Sequence, residues 1–140
     1  MGKINWGRVF VCGLLTGVVG FVLGALIFTV WGRDFEVAML AIGRPFTLPK
    51  AGWPVFLFIV GSLVMGIVTI WLYAAIRPRY GPGPKTAAVA GFALWAIFGL
   101  ADAFLMSLGL LPAGALVLPI GASLFGIIAA TEAGAWLYKE

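Results

Sequence analysis

Four long apolar runs divide this chain, and apart from the basic residues at their ends each holds no charge or a single carboxyl group. The first covers about 8–31. Its segment from Val9 to Val30 has no charge, and as a helix it rises roughly 33 Å, enough to cross a hydrocarbon core of about 30 Å. The second covers about 53–76 and has no charge inside it. The third, about 86–110, contains Asp102, and the fourth, about 115–138, contains Glu132. Of the 140 residues 63% are hydrophobic and 10% are charged. A soluble domain carries about 25% charged residues, so too little polar surface remains to cover a water-soluble globule. The expected fold is therefore all-α, a four-helix transmembrane bundle forming one transmembrane domain over residues 1–140.

Lys3 and Arg8 ahead of the first run imitate a secretory signal. A signal core is only about 7–15 residues long and ends at a small-residue cleavage site, so this run is expected to be retained as a span.

The connectors are short and punctuated. Gly32 to Gly52 joins the first two spans and holds Arg33, Asp34, Glu36, Arg44, Lys50, Pro45 and Pro49. Within it, Asp34 and Glu36 suit the positive start of a helix, and the apolar Phe35, Val37, Met39, Leu40 and Ile42 suit burial in lipid. A short interfacial helix ending at Gly43 is expected there. Arg77-Pro78-Arg79-Tyr80-Gly81-Pro82-Gly83-Pro84-Lys85 reads as a tight basic turn, because its prolines and glycines oppose a continuous helix. Leu111-Pro112-Ala113-Gly114 reads as the last hairpin.

Six of the nine Lys and Arg residues (Lys3, Arg8, Arg77, Arg79, Lys85 and Lys139) fall on one side of this plan, against Arg33, Arg44 and Lys50 on the other. The positive-inside rule then places both termini in the cytoplasm, N-in and C-in. Trp6, Trp71, Tyr73, Tyr80, Trp136 and Tyr138 would form the inner aromatic belt, and Trp31 and Trp53 the outer one. Basic residues beside apolar spans meet lipid phosphates, so the net charge of +4 points to anionic head groups and not to nucleic acid.

One cysteine, Cys12, and no histidine exclude an intrachain disulfide, a CxxC pair and a histidine-ligated haem. No metal site, cofactor, nucleophile–base pair or phosphate-binding loop is expected, and the chain reads as non-enzymatic.

Candidate residues remain. Gly13, Gly17, Gly20 and Gly24 share one face of span one, a device for close helix packing in lipid. Their partner is either another helix of this chain or a second copy. Asp102 lies inside the apolar zone, with Ser62 and Ser123 at similar depth on spans two and four. It is either an ion- or proton-binding group or a structural acid hydrogen-bonded between helices. Glu132 lies about 9 Å from the inner end of span four, near the level of Arg77 and Arg79, and fits an inner-face ion pair or a snorkelling carboxylate. Arg77, Arg79 and Lys85 are the candidate lipid head-group contact. Asp102 and Glu132 differ by about 15 Å in depth and cannot form a paired acid/base site. An echo between Trp71-Leu72-Tyr73 and Trp136-Leu137-Tyr138, preceded by Ser62-Leu63 and Ser123-Leu124, fits either a duplicated hairpin or two similar membrane boundaries.

The segment from Ile76 to Ala87 (IRPRYGPGPKTA) and the ending Ala133-Gly134-Ala135-Trp136-Leu137-Tyr138-Lys139-Glu140 resemble a family of small bacterial four-span integral membrane proteins. The resemblance covers most of the chain and implies the same four-span plan, with no activity to carry over. The polar residues associated with the first span of that family are missing between Val18 and Val30. Small multidrug-resistance transporters differ in carrying an essential acid in span one, and four-helix thiol oxidoreductases need cysteine pairs. The expected role is a structural or accessory membrane subunit that packs through glycine-rich faces, as a homo-oligomer or in a larger complex. The alternative is a small oligomeric transporter or channel using Asp102.

Overall fold

The computed structural model describes residues 4–47 and 49–138, which fold into four helices with no strand among them. These are α1 (Trp6–Ala41), α2 (Trp53–Tyr80), α3 (Pro84–Ser107) and α4 (Ala113–Leu137). All four are long and apolar enough to cross a membrane. Lys3, Lys139 and Glu140, which entered the charge and motif readings, lie outside the described residues.

The spans fall where the apolar runs place them, but several boundaries differ; α3 begins at Pro84 and α4 at Ala113, inside the expected turn and hairpin, because a proline is tolerated at the start of a helix. α1 has 36 residues and does not break at Gly32, so no separate interfacial helix exists between spans one and two among the described residues. A single glycine costs a helix only about 1 kcal/mol, and no proline follows until Pro45. The helix stops where expected, at Gly43 with φ 73°. There the Arg44 N–H bonds the Met39 carbonyl and the Gly43 N–H bonds that of Leu40, a Schellman closure. α2 runs through Pro78 to Tyr80, so Arg77 and Arg79 sit on its last turn and not in a loop. A proline this near the end disturbs little that follows, and the chain actually turns at Gly81 and Gly83, both at positive φ. α3 ends at Ser107, three residues earlier than Leu110, because Gly109 at φ 68° forms a second Schellman closure onto Leu105 and Met106.

α1 packs mainly on α2 and α4, and α3 mainly on α4. α2 meets α3 and α4 more lightly, while α1 and α3 stay apart across the bundle. Both described ends and the α2–α3 turn share one end of the bundle, called here the terminal end. The α1–α2 connector and the α3–α4 hairpin lie at the far end.

The terminal end is closed. Tyr138 Oη accepts from the Asn5 N–H, Tyr73 Oη accepts from the Gly83 N–H, and the two tyrosine rings meet edge to face with centroids 6.0 Å apart. Val9, Cys12, Ile70, Ala74, Ala87, Ala90 and Ala135 pack behind them. In the same half, Gly13 and Gly17 of α1 lie against Gly66 of α2. A Cβ on Gly13 would come 2.5 Å from the Ile67 Cα, and one on Gly17 would come 2.6 Å from the Leu63 Cα. A Cβ on Gly66 would run into the backbone of Gly13 and Gly17, and one on Gly134 would collide with Thr16 Oγ1. Only glycine permits these backbones to approach so closely.

Candidate functional site

Beyond this tight half, all four helices line an open-sided cavity of about 410 Å³. Its base is a ring of threonines, Thr16 of α1, Thr69 of α2 and Thr131 of α4, each buried. Its walls carry Gly20, Gly24, Gly61, Ser62, Met65, Ser123 and Gly126. Its exposed lining residues, Leu57 (51%), Phe58 (46%) and Gly61 of α2 and Phe98 (42%) of α3, mark its mouth on the α2 and α3 side. No charged side chain lines it. Each of its hydroxyls donates to a carbonyl of its own helix: Thr16 to Cys12, Ser62 to Phe58, Thr69 to Met65, Ser123 to Ile120 and Thr131 to Ile127, at 2.7–3.0 Å. That is the usual way a hydroxyl is satisfied within an apolar helix. Trp95 of α3 crosses to α4 beside the cavity and donates its indole N–H to the Ile120 carbonyl at 2.8 Å.

The span-one glycines therefore divide. Gly13 and Gly17 are occupied by α2 of the same chain, whereas Gly20 and Gly24 face the cavity, with nearest neighbours 3.9 Å from where a Cβ would sit. Ser62 and Ser123 line the same cavity. Asp102 does not line it. It lies four residues beyond Phe98, on the same side of α3 and one turn nearer the far end. It is half-buried, with no hydrogen bond or ion pair among the described residues.

Glu132 is exposed on α4 and makes no ion pair with Arg77, Arg79 or any other described residue. Arg77 instead lies over the Tyr138 ring at 5.6 Å, a cation–π contact at the terminal end. Arg79 and Lys85 are exposed at that end, so the candidate head-group residues share a level while Arg77 turns inward. Glu132 belongs to an outward stripe on α4 with Leu118, Gly121, Phe125, Ala129 and Trp136, all exposed. Phe125 and Trp136 are 75% and 80% exposed.

The cavity itself escaped the sequence reading. Thr16, Thr69 and Thr131 were the available signal, since each is an isolated hydroxyl in an apolar run. Among the described residues no cluster of Cys, Asp or Glu could hold a metal ion. Compared with protein-family models, with curated proteins and with solved structures, the chain matches none.

Proposed function

We propose that this integral membrane protein is a non-enzymatic structural or accessory subunit, and that a partner helix docks on the outward face of α4. Glu132 carries the reading. Intramembrane carboxyl groups nearly always face a bundle interior or a polar partner, and Glu132 faces away from its own bundle. Small Gly121 and Ala129 alternate on that stripe with large Phe125 and Trp136, which suits close approach of a second helix. The glycine face of α1 cannot supply the contact at Gly13 and Gly17, because α2 fills it.

The proposed setting is a bacterial inner membrane with both termini cytoplasmic, and with Arg79 and Lys85 on anionic head groups. Kinship with the small four-span family rests on the Ile76–Ala87 and Ala133–Glu140 motifs alone. Against the transporter reading stand a cavity without a charged wall and a terminal half with glycine-tight packing.

The test is affinity purification in a mild detergent, followed by native mass spectrometry. A complex heavier than one chain, lost in Glu132→Gln and kept in Arg79→Gln, is the expected result. A bare monomer from native membranes would sink the proposal, as would a complex indifferent to Glu132.

A further inference from the structure

The cavity suits an apolar occupant. It lies within the apolar part of all four helices, and its wall is mostly aliphatic and aromatic, so a hydrocarbon chain gains dispersion contacts along it. Water is a poor filling. The space would take roughly a dozen molecules or more, each wanting two to four polar partners, and the wall offers only hydroxyls that already donate to their own helices. A helix from a second copy does not fit either. On α1 the cavity runs from Thr16 to Ile27, roughly 16 Å at 1.5 Å per residue. A space of about 410 Å³ spread over that length is too narrow for a helix about 10–12 Å across. A long flexible apolar chain fits, and the volume lies in the range of small-molecule sites.

The mouth indicates which end such a chain carries. Leu57 is only four residues from the start of α2 at Trp53, so the mouth, on the α2 and α3 side, extends toward the far end. One helical turn beyond the mouth residue Phe98, about 6 Å, stands the half-buried Asp102. From Asp102 to the end of α3 at Ser107 is roughly another 8 Å. A carboxyl group at that level, with no partner among the described residues, matches the ammonium group of a lipid head group.

We infer that the cavity and Asp102 form one site for a membrane phospholipid with an ammonium head group, its acyl chain lying between the helices and its ammonium at Asp102. The site is independent of the α4 stripe and would exist whether or not a partner docks there.

The experiment uses the whole chain in vesicles of phosphatidylethanolamine and phosphatidylglycerol, with a trace of either lipid bearing a diazirine on one acyl chain. After irradiation, labelled positions are mapped by peptide mass spectrometry. Labelling by the ethanolamine probe is expected at cavity residues such as Met65, Phe98 and Ile127, and about tenfold weaker with the glycerol probe. Gly61→Phe points a ring into open space, since nothing lies within 4 Å of a Cβ there, and is expected to abolish cavity labelling. Asp102→Asn is expected to keep cavity labelling and to erase the difference between the two probes. Labels confined to outward residues such as Phe125 and Leu118 would overturn the site, and so would cavity labelling unchanged in Gly61→Phe. Equal labelling by both probes in the unaltered protein would overturn the role of Asp102.

Discussion

Gly66 has no room for any side chain, because the backbone of Gly13 and Gly17 occupies the place of its Cβ. Gly66→Ala must push α1 and α2 apart, and overpacking of this kind costs roughly 1–3 kcal/mol. Gly61, one turn or so earlier on the same helix, has nothing within 4 Å, so Gly61→Ala is expected to change stability by less than about 0.5 kcal/mol. Unfolding of both variants in a titration of SDS against mild detergent checks the contrast. Equal stabilities would mean that the close α1–α2 approach is not made. Cys12 is 3% exposed beneath the same contact. It is expected to resist a maleimide until the bundle unfolds; rapid labelling in the folded protein would contradict its burial. The glycine stripe of α1 was legible from its spacing, because four small residues on one face have few other uses in lipid. Its receiver was not, because Gly66 is one glycine among many and only the crossing of the helices selects it.

At the scale of the elements, the apolar runs located all four helices because a polypeptide in hydrocarbon has to satisfy its backbone internally. Their ends were harder to read. Gly32 and Pro78 look like breaks in a string of letters, yet each is tolerated singly by a helix, whereas Gly43, Gly81 and Gly109 end or follow helices because the backbone there takes positive φ. The consequence for α1 is a helix of roughly 54 Å, longer than the bilayer core, whose last turns carry Arg33, Asp34 and Glu36. Cysteines placed singly from Asp34 to Ala41 are expected to react with a water-soluble thiol reagent in a helical rhythm of three to four residues. A uniform pattern would indicate that the helix stops at Gly32. Between α3 and α4 the Trp95 indole N–H spans the interface to Ile120. Trp95→Phe removes that bond and should cost about 0.6 kcal/mol, the average for hydrogen bonds between membrane helices, and at most about 1.7 kcal/mol. No loss in the same SDS titration would show that the bond does not join the two helices.

For the molecule as a whole, the structure is tight at one end and open at the other. Glycines bring the backbones together near the terminal end, while beyond it the helices line a cavity whose wall includes Phe58, Met65 and Phe98. Each helix taken alone is only an apolar cylinder, so this gradient was not visible in composition or in hydropathy. The acids show the same limit. Sequence depth brought Asp102 together with Ser62 and Ser123, but helix rotation puts the serines in the cavity wall and Asp102 a turn above it. Depth also set Glu132 beside Arg77 and Arg79, whereas rotation turns it outward and leaves Arg77 over Tyr138.

That outward turn is the hinge of the functional reading, and it can be observed in intact membranes. A photoreactive amino acid placed at Ala129, one turn from Glu132 on the exposed face of α4, reports whatever lies against that face. The expected product is a crosslink to another polypeptide, reduced when Glu132→Gln is added. Crosslinks to lipid alone would mean that α4 faces the bilayer, and the protein would no longer read as a subunit of a larger membrane assembly.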